Sequence, residues 1–108
     1  MKFEKVYRHG DVLLFKLEET VVAPAVLKKT QHLVLEEGEV TGHAHQLKGN
    51  VEILREDPLQ KELMFRVLDK AVLTHEEHDR IVLEKGLYLK ASQVEYNPFN
   101  NLISWIRD

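Results

Sequence analysis

Leu63-Met64-Phe65-Arg66-Val67-Leu68-Asp69-Lys70-Ala71-Val72-Leu73-Thr74 is the stretch whose reading decides the fold. Two apolar runs containing branched and aromatic side chains flank one polar dipeptide. Neither run holds the 3.6-residue apolar period of a helix, so both read as strands. Asp69-Lys70 then reads as the tight connection of a hairpin.

The same pattern continues on both sides. Val12–Leu17 follows the turn residues His9-Gly10-Asp11, and His32-Leu33-Val34-Leu35 closes at Glu36-Glu37-Gly38. Val51-Glu52-Ile53-Leu54 starts after Gly49-Asn50 and stops before Asp57-Pro58, because proline cannot donate into a ladder. Downstream, Ile81-Val82-Leu83 runs into Lys85-Gly86. Residues 87–96 form the longest candidate strand, and Asn97-Pro98-Phe99 turns it toward Leu102-Ile103-Ser104-Trp105-Ile106. Pro24 marks Val21-Val22-Ala23-Pro24-Ala25-Val26 as an edge strand or a loop. Single helical turns fit only around residues 57–61 and 75–79. The expected fold is all-β, an antiparallel β-sandwich or small barrel of about eight short strands.

Composition bounds the function. The 108 residues correspond to one domain, 1–108, long enough to bury a core without staples. The absence of cysteine excludes disulfides, thiolate metal sites and thiol nucleophiles. Fifteen Lys and Arg against eighteen Asp and Glu, with Lys28-Lys29 the sole adjacent basic pair, give no basic stripe for nucleic acid. Met1-Lys2-Phe3-Glu4-Lys5 lacks the apolar run of a signal peptide, and no stretch approaches the ~20 apolar residues of a membrane helix. A soluble cytoplasmic protein that engages neither nucleic acid nor membrane is expected. There is no Gly-rich phosphate loop, and Ser92 and Ser104 lack a nucleophile-elbow context.

Chemistry is concentrated in two histidine pairs, Gly42-His43-Ala44-His45 and His75-Glu76-Glu77-His78. Strand alternation puts His43, His45 and Leu47 on one face, which points the two imidazoles inward if Leu47 is core. Ala71, Leu73 and His75 share a face in the same way, and a turn after His75 would bring His78 beside it. Neutral imidazole is the commonest protein ligand for zinc, iron, nickel and copper, and the expected ion is zinc, iron, nickel or manganese. His43, His45 and His78 are therefore the candidate metal ligands, with His75 or Glu95 completing the set. Glu76, Glu77 and Asp79 are nearby carboxylates that could ligate or orient. The plainer alternative is that His43 and His45 form a hydrogen-bonded rim and His-Glu-Glu-His a solvated turn. His9 and His32 read as structural or surface residues.

Two resemblances attach to these motifs. His43, His45 and His78, with Glu52 as the loosest member, are similar to the metal set of the cupins, whose His-x-His, later histidine and glutamate bind a metal inside a small β-barrel. The chain departs from that pattern after His45, where Gln46-Leu47-Lys48-Gly49 carries no glutamate, and before His78, where Pro-x-Gly is missing. Over most of its length the chain resembles a family of small uncharacterised prokaryotic and viral proteins. Arg8-His9-Gly10-Asp11-Val12, Glu39-Val40-Thr41-Gly42-His43-Ala44-His45, Thr74-His75-Glu76-Glu77-His78 and Gln93-Val94-Glu95-Tyr96-Asn97-Pro98 carry that likeness. It implies one compact domain and brings no activity.

Two functions are expected from this reading. The first is a small metal-binding β-barrel protein, extending to a metalloenzyme on a small polar substrate, with a divalent transition metal as cofactor. The second is a non-enzymatic binding or accessory module in which the histidines line a metal-free polar pocket. Without metal, His43, His45 and Glu95 are also suited to acid–base work. The last segment is apolar on both faces, Ile103 and Trp105 on one and Leu102 and Ile106 on the other, which suits a homodimer seam or a central strand.

Overall fold

The computed structural model describes residues 3–10, 12–18, 20–21, 23–37, 43–59 and 61–92. Six strands form one antiparallel sheet: β1 (Phe3–His9), β2 (Val12–Leu17), β3 (Lys28–Glu37), β4 (Ala44–Asp57), β5 (Glu62–His75) and β6 (His78–Ser92). Their order across the sheet is β1-β2-β6-β5-β4-β3. The expected all-β antiparallel class is present, and the sheet is an open one. Among the described residues no helix is long and apolar enough to cross a membrane.

The strand count differs from the expected eight for a physical reason. Asp69-Lys70 is not a hairpin connection but part of the continuous β5, at a register shift between Val67 and Lys70. Gly49-Asn50 lies inside β4, at a shift between Gly49 and Val51, and Lys85-Gly86 lies inside β6. These irregularities fall beside one another, since Val51 pairs with Val67 and Val67 with Gly86. A bulge exposes polar residues just as a turn does, but the chain continues in the same direction and bends. Gly49 shows why the crease needs glycine: at φ +148°, an added Cβ would run into the Lys70 carbonyl oxygen.

β1, by contrast, is a strand that the sequence pattern does not announce. It pairs with β2 through a two-residue connection, with His9 opposite Val12. The described part of residues 18–27 runs as a loop, and Val21 and Ala23 pack on a cluster formed by Phe15, Leu17, Leu54, Met64, Leu87, Leu89 and Ala91. The segments 93–97 and 102–106, with Glu95 and the proposed dimer seam, lie outside the described residues.

The creased strands roll the sheet upon itself. On a flat sheet β1 and β4 would stand about 19 Å apart, four inter-strand spacings. Yet the His9 and His45 imidazoles are in hydrogen-bond contact. The main core fills the roll: Val12 and Leu14 of β2 join Leu35 of β3, Leu47, Val51 and Ile53 of β4, Phe65 and Leu73 of β5, and Leu83 and Tyr88 of β6. Phe65 and Tyr88 stack there with ring centroids 5.5 Å apart. Burial of these side chains is worth roughly 1.5–3 kcal/mol each before entropy is counted. That packing fixes the ends of the strands, and so the histidines they carry.

Candidate metal centre

Five of the six histidines meet at one end of the roll. His9 ends β1, His43 and His45 lie at the start of β4, and His75 and His78 face each other across the β5–β6 connection. Ring centroids are separated by 4.3 Å for His45–His75, 4.8 Å for His75–His78, 5.0 Å for His9–His45 and 5.7 Å for His43–His75. His78 lies 5.4 Å from His9 and 5.9 Å from His45. His32 stands apart, exposed and hydrogen-bonded to Gln46.

Local sequence explains each placement. Leu47 is fully buried, and alternation along β4 then turns His45 inward, leaving it 5% exposed. Glu76 and Glu77 form the two-residue link that reverses the chain, so His75 and His78 become a cross-strand pair. His9 shares a face with its buried partner Val12 and is itself 3% exposed. Gly10, at φ +61°, lets the β1–β2 connection lie against the cluster. A Cβ there would stand 2.7 Å from His78 Nε2 and 3.1 Å from His45 Cε1.

Two hydrogen-bonded groups organise the imidazoles. On the inner side, His9 Nε2 lies 2.9 Å from the Asp79 carbonyl oxygen and His9 Nδ1 lies 2.9 Å from His45 Nδ1. Burial is the main influence on His9 and pushes its pKa below the usual 6.5, with His78 and His75 pushing the same way and the Asp79 carbonyl opposing. On the rim, the Ala44 amide donates to Glu76 Oε2 over 3.0 Å, and the Glu77 amide donates to His75 Nδ1 over 3.0 Å. His75 Nε2 stands 3.9 Å from Glu76 Oε2, and His43 Nδ1 stands 3.6 Å from Glu77 Oε1. Hydrogen bonds from its own amide and from Ala44 hold the exposed Glu76 carboxyl below its usual pKa, so it is anionic near neutrality.

His43, His75 and Glu76 can each offer a donor atom such that all three lie within 4.8 Å of one another. Around one zinc ion with ligands at 2.0–2.1 Å, donors stand about 3.4 Å apart in tetrahedral geometry. The difference is within reach of side-chain rotation at a half-exposed rim. Of the ligands expected from sequence, His43, His45, His75 and His78 are thus brought together. Glu95 lies outside the described residues, and Glu52 engages Arg66 and Lys29 instead of the histidines. Sequence reasoning missed His9. Its signal was the two-residue spacing between His9 and the apolar Val12, which places both on the inner face once the hairpin is recognised.

A domain family described as a domain of unknown function, DUF8820, matches residues 8–93, and the chain belongs to that family. The matched span runs from just before His9 to just after β6, so it contains the whole histidine cluster. No curated protein and no solved structure matches the chain.

Proposed function

We propose that this protein binds a divalent transition metal ion at the histidine end of its rolled sheet. His43, His75 and Glu76 are the primary ligands, with His45 and His78 adjoining them. The observation that carries this reading is the grouping of those three donors within 4.8 Å, beside further imidazoles from β1, β4 and β6. Imidazole nitrogen with one carboxylate oxygen suits zinc, iron, nickel and manganese. Such a set leaves coordination positions for water or for a small polar ligand.

Elemental analysis of untagged, chelator-treated protein reloaded with zinc tests the proposal. One equivalent retained by the wild type and lost in His43→Ala and His75→Ala is the expected result. Substoichiometric zinc, or zinc unchanged by both substitutions, overturns it.

A second reading has its own support. The Glu77 amide donates to His75 Nδ1, so a neutral His75 carries its proton on Nε2, directed toward Glu76. This is a satisfied polar rim without an ion, and a small polar ligand could bind to it directly. Ligation by His75 Nε2 requires the opposite tautomer and release of the Glu77 amide. A zinc-induced change in the Glu77 amide resonance therefore belongs to the metal reading, and a resonance that zinc leaves in place belongs to the pocket reading.

A further inference from the structure

We propose that a cavity between the end of β2 and the creased part of β5 and β6 binds a small organic monoanion, a carboxylate carrying a short apolar chain. The site is separate from the candidate metal centre: among the described residues that line it, none belongs to the histidine cluster.

The cavity has a volume of about 270 Å³. That is just under the ~300–1,000 Å³ of sites for drug-sized molecules, so its ligand is smaller. Strand register sets its position. Arg66 of β5 stands opposite Leu87 of β6, and the next β6 residue, Tyr88, stands opposite Lys16 of β2. Part of the lining is apolar: Leu17 and Leu87 belong to the cluster on which Val21 packs, and all three face the cavity. Gly86 leaves room for the Lys16 stem, since a Cβ there would stand 2.8 Å from Lys16 Cε.

The rest of the lining is charged, and its balance selects the sign of the ligand. Lys16, Arg66 and Lys85 supply three cations against the carboxylates of Glu4 and Glu18. Lys16 is matched by Glu4 at 3.8 Å. Arg66 faces Glu52 at 3.3 Å, but Glu52 is shared with Lys29 at 3.8 Å. Among the described residues no carboxylate forms an ion pair with Lys85. Setting Glu18 against one of these cations leaves one unit of positive charge beside an apolar wall. A single carboxylate cancels that unit. The Arg66 guanidinium has one described hydrogen bond, to Glu52, and further N–H donors for a ligand oxygen. The Lys85 ammonium is the second charged donor. An apolar chain on the ligand would lie against Leu17, Val21 and Leu87, each buried methylene adding to affinity. A ligand cation would meet the same excess charge as repulsion.

Methyl and imidazole resonances of the metal-free protein, followed by NMR near neutral pH, test the proposal with three probes: hexanoate, hexylammonium and inorganic phosphate. Hexanoate is expected to shift the Leu17, Val21 and Leu87 methyls saturably and to leave the histidines in place. Hexylammonium has the same chain and the opposite charge, and should bind at least about 10-fold more weakly. Lys85 is exposed, so its variants should fold. Lys85→Glu should weaken hexanoate about 10–100-fold, because repulsion replaces a charged hydrogen bond. Lys85→Arg should keep the binding. The absence of a saturable hexanoate shift, an equal response to hexylammonium, or hexanoate binding unchanged in Lys85→Glu overturns the proposal. Phosphate moving the same methyls at the same concentrations as hexanoate also overturns it, since charge alone would then suffice. The wild-type comparison of the three probes decides the question even without a variant.

Discussion

Lys90, His9 and His45 are buried polar side chains of one sheet, but the fold accommodates the lysine and the histidine cluster in different ways. Lys90 is paired with opposite charge: its ammonium stands 3.9 Å from Glu36 Oε2 and donates to the Lys61 carbonyl over 2.9 Å. Glu36 also faces Lys61 at 3.8 Å. Burial pushes the Lys90 pKa down, while Glu36 pulls it back up. The histidine end instead gathers groups of one kind, with carboxylates only at its rim among the described contacts. Beyond the His9–His45 hydrogen bond, the five convergent imidazoles gain little from one another as neutral rings and repel as cations. Charge compensation completes the Lys90 cluster within the chain, whereas an added cation would complete the histidine cluster. The difference suits the first to a structural role and the second to the proposed metal site.

The comparison can be broken from either side. The largest effect should come from Glu36→Ala, which leaves the Lys90 ammonium buried without its carboxylate. A loss of about 3–5 kcal/mol in denaturant unfolding is expected, as for breaking other buried pairs. Replacing both residues, with Glu36→Leu and Lys90→Met, should recover most of that loss. A Glu36→Ala variant as stable as wild type would mean that Lys90 is balanced in some other way.

Gly49→Ala tests the crease on which both clusters depend. Its Cβ would meet the Lys70 carbonyl, so destabilisation of about 1–3 kcal/mol is expected from overpacking. The His45–His75 contact should loosen with it, detectable in the imidazole resonances. Unchanged stability would remove the argument that the three long strands bend at this line.

The Lys90 cluster should also have a pH signature. Lys90 releases its proton at lower pH in the folded chain than in the unfolded one, whose value is near 10.5. Between those two values the unfolded chain binds more protons, so stability should rise with pH. Lys90→Met should lack this rise. Glu62 works in the opposite direction. Burial, helped by Asp57, raises its pKa above the usual 4.5, against the pull of Arg55 and Lys90. Stability should therefore increase as pH falls through the raised Glu62 value toward 4.5, and Glu62→Gln should flatten that increase. Unfolding free energies measured across both ranges check the two signs.

The smallest expected effect is the most diagnostic. His43→Ala in metal-free protein should change stability by less than about 1 kcal/mol, because a half-exposed side chain is lost without leaving a buried charge. A large loss would make His43 a structural member like Lys90.

How much of this was legible in the sequence depended on distance along the chain. Alternation around Leu47 correctly aimed His43 and His45 to one side, since a local period sets side-chain direction. The approach of His75 and His78 was conditional on a reversal at Glu76-Glu77, and that reversal is present. Asp69-Lys70 reads as a turn because bulges and turns expose the same polar residues. The three long strands therefore look like shorter pieces in the sequence. The place of His9 is not legible because its partners are 36 and 70 residues away, and no local pattern reports a sheet rolling upon itself. Strand order, rather than residue type, turned two histidine pairs into one cluster of five.

The claim that the histidine end is completed by a cation is tested most directly by unfolding in the presence and absence of zinc. At a free zinc concentration of about 100 times its dissociation constant, the wild type should gain about 2.7 kcal/mol. The double variant His43→Ala/His75→Ala should gain none, although it folds without metal. Equal gains in both proteins, or none in the wild type, would contradict the account.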